Sequence, residues 1–268
     1  RRTSVVGSIS DSIYFLQPRP PPRAAFTLLE LLVVIAVLAL LLAVLTPFYG
    51  KALNLAREGA CKSNLRNWGI GFLAYAADHK GFLPHPDGPE REVKGTDRGQ
   101  HGWMDVVPPY MGLKPWNEHP PGKRPTGNPW QCPSARVEAA ARDASSPKKD
   151  DYFSYAMNSY LSHDFDFGLP WGAEQQPSFL FMGRSVAPSV TILMFEQSVD
   201  PKKGNGGRFG GEDAGAVTAR HAHLLGGEGC NVLYLDGHVA WRNDLWDPES
   251  KNPRIPKRGD LTWFPYPY

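Results

Sequence analysis

The chain opens with a long apolar run that contains two polar side chains near its start. Within residues 26–45, only Thr27 and Glu30 are not hydrophobic. About 20 apolar residues are enough for an α-helix to cross the ~30 Å hydrocarbon layer of a membrane. The run therefore predicts a transmembrane helix over 26–46.

Positive charge precedes this run. Residues 1–25 hold four arginines and a single acidic residue, Asp11. Because positively charged flanks stay in the cytoplasm, we expect a single-pass protein of the inner (cytoplasmic) membrane, with a cytoplasmic N-terminus and a periplasmic or extracellular C-terminal domain. A cleaved secretory signal would end in an Ala-x-Ala site, whereas Leu45-Thr46-Pro47 follows here. An anchor with no further role stays open as an alternative.

Beyond the apolar run, hydrophobic positions recur every three to five residues, which is typical of an amphipathic helix. Gly81 and Pro84 are residues that commonly end a helix. The pattern predicts one helix over 26–80, and we expect it to bend at Pro47, which lacks a backbone donor. The recurring apolar side chains are Leu53, Ala56, Ala60, Leu65, Trp68, Phe72 and Tyr75.

Residues 81–268 are dense in Pro and Gly and poor in helical patterns, which predicts one domain with long loops around a small antiparallel sheet. Strands are expected at 190–195, 231–235 and 238–241, with long insertions at 81–133 and 165–188. Between the last two strands, Asp236-Gly237 is the pair typical of a two-residue type I′ hairpin turn. The predicted fold class is α+β, with a long N-terminal helix packed on the sheet.

The segment Ala25-Phe26-Thr27-Leu28-Leu29-Glu30-Leu31-Leu32-Val33-Val34-Ile35 resembles the processing site of type IV pilins and type II secretion pseudopilins. The resemblance implies that residues 1–25 are a leader, that prepilin peptidase cuts between Ala25 and Phe26, and that the new N-terminus of Phe26 is methylated. Glu30 and Pro47 then fall at the fifth and twenty-second mature positions, where this family commonly has a carboxylate and a helix-kinking proline. The family usually has Gly where this chain has Ala25.

Glu30 has two possible explanations. An ionised side chain within an apolar helix costs ~2.5–3.5 kcal/mol even on the most lenient insertion scale. The resemblance implies that Glu30 pairs with the amine of Phe26 on a neighbouring pilin or pseudopilin subunit. Alternatively, Glu30 lies one turn from the lipid headgroups and reaches them or is protonated.

Further motifs, taken in chain order, are similar to a subfamily of bacterial pseudopilin-like proteins with an extended C-terminal domain and a late His and Asp-Gly signature. The subfamily pattern implies a disulfide between Cys61 and Cys132, with Cys230 free. Three buried thiols are the alternative. The motifs are Cys61-Lys62-Ser63-Asn64-Leu65-Arg66-Asn67-Trp68-Gly69, Tyr75-Ala76-Ala77-Asp78-His79-Lys80-Gly81-Phe82-Leu83-Pro84, Gln131-Cys132-Pro133-Ser134, Ser154-Tyr155-Ala156-Met157-Asn158-Ser159-Tyr160 and Asn231-Val232-Leu233-Tyr234-Leu235-Asp236-Gly237-His238-Val239.

Metal ligands and catalytic motifs receive less support. Zn²⁺ and Fe²⁺ are bound by His and carboxylate side chains, but the spacing of the candidates matches no ligand motif. The turn explains Asp236, and His238 is expected on an exposed strand face. The sequence has no Gly-x-Ser-x-Gly or His-Glu-x-x-His motif, so we expect no enzyme and no cofactor. The transition-metal candidates are Glu196, His221, His223, Asp236 and His238, and the Ca²⁺ candidates are Asp164, Asp166, Glu212 and Asp213.

Charge argues against nucleic acid as a partner. The whole chain has a formal charge of +2. Without the four Arg and one Asp of residues 1–25, 25 basic residues remain against 26 acidic ones, a formal charge of −1. Such a chain lacks the basic excess of a nucleic-acid-binding protein.

The sequence therefore predicts a pseudopilin or minor pilin-like subunit, assembled through its N-terminal helix into a pilus or pseudopilus for secretion or surface display. Two alternatives belong to other classes of protein. One is a membrane-tethered extracytoplasmic binding domain that does not polymerise. The other is an exported metal-dependent enzyme built on Glu196, His221 and His223.

Overall fold

A computed structural model describes residues 27–86, 102–119, 127–135, 153–161, 182, 185–199, 211–212, 214–222, 227–246, 249, 253–254 and 260–264. The chain forms two compact units, Arg1–Pro47 and Phe48–Tyr268. Helix α1, Leu28–Asp78, contributes its first part to one unit and its second part to the other. Pro47 lies inside this helix.

The first part of α1 has every side chain exposed. Among the described residues, α1 is the only helix that is long and apolar enough to cross a membrane. The predicted helix over 26–80 is thus found at Leu28–Asp78. At its end, the N–H of Gly81 donates to the carbonyl of Ala76 at 2.7 Å. Lys80 and Gly81 both have positive φ there, 58° and 87°, so the left-handed end of the helix includes the residue before the glycine.

The described residues of the second unit form six strands, and the expected α+β class is confirmed. In the sheet, β1, β2, β5 and β6 lie side by side and pair antiparallel, β3 pairs parallel with β1, and β4 pairs antiparallel with the start of β5. The strands are β1 Tyr155–Asn158, β2 Ile192–Glu196, β3 Gly211–Glu212, β4 His221–Ala222, β5 Glu228–Tyr234 and β6 Val239–Arg242.

Both faces of this sheet are covered. In β5, Leu233 belongs to the core cluster that contains the second part of α1, whereas Val232 belongs to a second cluster with Trp263 and Phe264. This alternation is the period of two expected for a strand. A sheet buried on both faces needs apolar residues at nearly every position of its central strands, and β2 (Ile-Leu-Met-Phe) meets that need.

The predicted insertion at 81–133 contributes to the core. Its described residues include the short helix α2, Trp103–Val106, and the 3-10 turns Pro108–Met111 and Trp116–Glu118. Burial of three indole rings supplies the apolar area that holds this irregular segment in place. The buried side chains are Leu83, Trp103, Met104, Val107, Trp116 and Trp130.

The β5–β6 hairpin differs from the predicted type I′ turn. Among the described residues of this connection, Gly237 has a positive φ (89°) and Asp236 does not. The N–H of Gly237 donates to the carbonyl of Tyr234 at 2.9 Å, and the N–H of Tyr234 donates to the carbonyl of His238 at 3.0 Å. The loop therefore has three residues, a turn followed by a left-handed glycine, so that only Gly237 needs the left-handed conformation.

Candidate functional site

The start of α1 is closed by a reciprocal pair of side chains. The backbone N–H and the hydroxyl of Thr27 donate to Oε2 of Glu30 at 2.9 and 3.0 Å, and the N–H of Glu30 lies 3.2 Å from Oγ1 of Thr27. This Thr-x-x-Glu arrangement is a capping box, which satisfies backbone donors at a helix N-terminus. Glu30 thus has a local structural role. Ala25 and Phe26, the predicted processing residues, lie outside the described residues.

In the second unit, one face of α1 holds the loop 127–135. Cys61, Asn64 and Trp68 follow the i, i+3, i+7 spacing that places side chains on one face of a helix. Nδ2 of Asn64 donates to the carbonyl of Gln131 at 3.1 Å, and Nε1 of Trp68 donates to the carbonyl of Pro129 at 2.9 Å. Two separate sequence motifs therefore meet here.

A disulfide joins the same two elements. The sulfurs of Cys61 and Cys132 are bonded, with 5.0 Å between the Cα atoms. The hydroxyl oxygen of Ser154 accepts the N–H of Cys132 at 2.7 Å. Cys230 is free and buried in the second core cluster. The pairing implied by the resemblance is the pairing that the structure has.

Next to this disulfide lies a buried histidine–carboxylate pair. Nε2 of His221 is 2.9 Å from Oε1 of Glu196 and 3.5 Å from Sγ of Cys132. Asn231 holds the other side of the carboxylate, since its backbone N–H donates to Oε2 of Glu196 at 2.9 Å. Glu196 ends β2 and His221 begins β4, and both strands pair with β5. The sheet register therefore creates this pair.

Further buried groups set the electrostatics around Glu196. Nδ2 of Asn64 donates to the hydroxyl oxygen of Tyr155 at 3.1 Å. Burial, and then the charge of Glu196, raise the pKa of Tyr155 far above its ordinary value. The same two causes raise the pKa of the Cys230 thiol. Burial lowers the pKa of the Arg220 guanidinium, and attraction to Glu196 opposes that effect. Tyr155 and Cys230 are thus neutral, and Arg220 supplies a positive charge near Glu196.

The predicted metal candidates separate into two places. Glu196 and His221 meet at the disulfide, and the donor atoms of these two residues and of Cys61 and Cys132 all lie within 4.8 Å of one another. The other pair is at the hairpin, where Nδ1 of His238 is 2.6 Å from Oδ1 of Asp236 and both side chains are partly exposed. Of the five transition-metal candidates, Glu196 and His221 therefore lie together, whereas Asp236 and His238 lie apart from them at the hairpin turn. His223, Asp164, Asp166, Asp213 and the side chain of Glu212 lie outside the described part of the chain.

The amino-acid sequence did not indicate the roles of three buried polar residues and of the partly buried Arg220 in this region. The quoted motifs contain Asn64, Tyr155 and Asn231. The presence of these polar residues among apolar ones was the feature of the sequence that could have indicated their roles. Arg220 precedes His221 directly and had no such signal. The structure brings all four to the surroundings of Glu196.

Comparison with known proteins identifies the N-terminal segment. A family model described as the prokaryotic N-terminal methylation motif matches residues 21–46. This motif is the prepilin signal of type IV pilins and pseudopilins, so the resemblance recognised in the sequence is confirmed for this segment. No curated protein and no solved structure matches the chain. The matched segment overlaps the exposed apolar part of α1, which is long and apolar enough to cross a membrane.

Proposed function

We propose that this chain is a pseudopilin or minor pilin-like subunit that assembles through α1 into a pilus or pseudopilus linked to secretion or surface display. The observation that carries the proposal is the prepilin signal at residues 21–46, which leads directly into an apolar helix. Prepilin peptidase would cleave between Ala25 and Phe26, and the amine of Phe26 would be methylated.

The first part of α1 supports assembly through its surface. Its leucine, isoleucine and valine side chains are exposed, for example Leu28 at 82% and Leu40 at 67%. Each Å² of apolar surface removed from water contributes roughly 25 cal/mol, so such a surface needs lipid before assembly and neighbouring helices afterwards. Other pilin-like subunits are the partners that provide those helices.

The second unit is proposed to lie on the periplasmic or extracellular side. The arginine-rich residues before the helix favour a cytoplasmic N-terminus. The Cys61–Cys132 disulfide fits the same orientation, because disulfides persist in exported proteins and are rare in the cytosol.

Glu30 is proposed to pair with the amine of Phe26 on a neighbouring subunit. Both donors of Thr27 bind Oε2 of Glu30, so Oε1 can accept from a second group. In hydrocarbon, an ion pair between two subunits removes two unpaired charges together. Capping and intersubunit pairing can therefore coexist on one carboxylate.

Three variants separate these two roles of Glu30. Glu30→Gln keeps an acceptor for the capping box but removes the charge, whereas Thr27→Ala removes the hydroxyl of the box and keeps the charge. Crosslinking in membranes should show that Glu30→Gln and Glu30→Ala lower the oligomer yield at least tenfold, about 1.4 kcal/mol, while Thr27→Ala retains it. The N-terminal sequence and mass of each mature protein check that cleavage is unchanged.

Two results would contradict the proposal. If Glu30→Gln oligomerises as well as the wild type, the charge has no role in assembly. If wild-type α1 forms no crosslinks with a second subunit, the chain is a membrane-tethered domain that does not polymerise. A mature protein that does not start at methylated Phe26 would reject the proposed processing.

A further inference from the structure

We propose that the Cys61–Cys132 disulfide covers a latent zinc site. In the reduced protein, the two cysteine sulfurs, Glu196 and His221 would bind one Zn²⁺ in tetrahedral geometry. The oxidised protein would not bind it, because its sulfurs are bonded to each other. This inference concerns the second unit and does not depend on assembly through α1.

The donor atoms are already close to the required positions. Tetrahedral zinc with bonds of 2.0–2.3 Å separates its ligand atoms by roughly 3.3–3.8 Å. Nε2 of His221 lies 3.5 Å from Sγ of Cys132 and 2.9 Å from Oε1 of Glu196. All four donors lie within 4.8 Å of one another. Once the sulfur–sulfur bond is broken, small side-chain movements are sufficient.

Partners outside the donor set orient two of the ligands. The backbone N–H of Asn231 donates to Oε2 of Glu196 and its side-chain Nδ2 donates to Oε1 at 3.2 Å, and these two bonds fix the carboxylate with Oε1 next to His221. The N–H of Cys132 donates a hydrogen bond to Oγ of Ser154, and this bond fixes the backbone that carries the cysteine sulfur. Ligands of metal sites in proteins are oriented by such hydrogen bonds.

The charges around the proposed site are balanced both in the reduced, zinc-bound state and in the oxidised state. Zn²⁺ with two thiolates, one carboxylate and a neutral imidazole carries −1, and the guanidinium of Arg220, which donates to the carbonyl of Gln197 next to Glu196, supplies +1 nearby. In the oxidised state, the carboxylate of Glu196 and the guanidinium of Arg220 balance each other. A disulfide with a purely structural role does not require a desolvated carboxylate and imidazole beside it, since apolar side chains could fill that volume without the desolvation cost.

The chemistry that uncovers the site is a thiol–disulfide exchange. A dithiol reductant transfers two electrons and two protons to the Cys61–Cys132 bond and is itself oxidised to a disulfide. Zn²⁺ then replaces the two thiol protons, which are released to solvent. A second disulfide reverses the step: it takes two electrons from the two thiolates and two protons from solvent to become a dithiol, while the Cys61–Cys132 bond forms again and Zn²⁺ is released.

Cobalt(II) absorption and X-ray absorption test the proposal on the full chain, purified in detergent without a histidine tag. After reduction, one Co²⁺ per chain should bind with a thiolate-to-cobalt charge-transfer band that Zn²⁺ displaces, and the unreduced chain should show no such band. With Zn²⁺ bound, the X-ray absorption fine structure should contain two sulfurs at about 2.3 Å and two nitrogen or oxygen atoms at about 2.0–2.1 Å. Failure of the reduced chain to bind, or a ligand shell without two sulfurs, overturns the proposal.

Matched variants identify the remaining ligands. Glu196→Gln and His221→Asn should each weaken Co²⁺ binding more than the roughly 10–100-fold typical of outer-shell changes. His238→Asn alters the other His–carboxylate pair, and Cys230→Ala removes the third thiol, so both should bind within twofold of the wild type. Unchanged binding by His221→Asn contradicts the proposal. If a ligand variant does not fold, the zinc ligand shell of the wild type decides the question.

Discussion

The two parts of helix α1 have the same backbone structure and opposite surroundings. Over 28–47 the side chains are almost uniformly apolar and exposed. Over 48–78 apolar and polar residues alternate with the helical period, and Leu65, Trp68 and Phe72 are completely buried. A helix apolar on all sides needs a partner beyond its own chain, whereas an amphipathic helix packs on its own domain. One element therefore serves two environments.

The same contrast applies to two glutamates of this helix. Glu30 is exposed, and its carboxylate accepts hydrogen bonds from Thr27 at the helix start. Glu58 is buried, and its Oε1 lies 2.6 Å from Nζ of Lys62, one turn further on. The carboxylate in the first part of α1 caps the start of the helix. The carboxylate in the second part forms an ion pair with a lysine of the same helix.

Among the substitutions that test the contrast between the two parts of α1, we expect the largest loss of stability from a change at Trp68. Its ring is edge-on to Trp103 and Trp130, and its N–H binds the carbonyl of Pro129. Trp68→Ala should lower the free energy of unfolding by about 4–5 kcal/mol, through the cavity and the lost hydrogen bond. Ile70→Ala on the exposed side should change it by less than about 1 kcal/mol. Urea unfolding of the full chain in detergent measures both, and equal effects would contradict the described packing.

Loss of the disulfide comes next. Cys61→Ser should lower the free energy of unfolding by about 3 kcal/mol, because the bond closes a long loop of the unfolded chain. Thiol labelling provides an independent check. The folded, unreduced protein should label no cysteine, and the denatured, unreduced protein should label Cys230 alone. Reaction of both Cys61 and Cys132 in the folded, unreduced protein would disprove the bond.

Alanine substitutions at two glycines in the second part of α1 should have smaller effects on stability, and the two effects should have opposite signs. A Cβ at Gly71 would lie 2.8 Å from Cγ1 of Val107 and 2.9 Å from Cγ of Met111, whereas a Cβ at Gly59 meets no atom within 4 Å. Gly71→Ala should destabilise by about 1–2 kcal/mol despite its better helix propensity, because Val107 is buried and cannot yield freely. Gly59→Ala should stabilise by up to about 1 kcal/mol. Thermal unfolding of both variants compares the two signs, and a stabilising Gly71→Ala would refute the close packing.

The smallest expected effect concerns Lys62. Lys62→Met removes the ion-pair partner of the buried Glu58 and should cost about 1 kcal/mol, a modest value because the lysine side chain is 37% exposed. Lys51→Met, at an exposed position of the same helix, is the matched control and should change stability by less than about 0.5 kcal/mol. The urea concentrations at which half of each variant is unfolded distinguish Lys62→Met from Lys51→Met. Equal midpoints for the two variants would mean that the pair contributes nothing.

Elements with a strong local signal could be predicted from the sequence. The period of the apolar residues indicated α1 to within two residues of Asp78, and alternation with a turn pair indicated β5 and β6. β1 was not predicted, because four residues between loops give too short a pattern. The predicted type of hairpin turn was wrong, because an Asp-Gly pair is compatible with more than one loop length.

The site depended on contacts between distant segments. Glu196 and His221 were both candidates, but their spacing in the sequence did not indicate that they lie together. The pairing of β4 with the start of β5, His221 opposite Gly229, places His221 near Glu196 and away from the hairpin turn. That register results from long-range packing, which local patterns do not contain.

The Cys61–Cys132 bond also has a mechanical consequence. If the chain assembles through its N-terminal helix as proposed, tension along the chain would reach the Cys61–Cys132 bond. The cysteines are 71 positions apart, and that segment, if drawn out, would lengthen the chain by roughly 240 Å. With the bond intact, tension passes from helix to loop through two sulfur atoms and the segment cannot extend. Reduction would therefore turn a stiff connection into an extensible one.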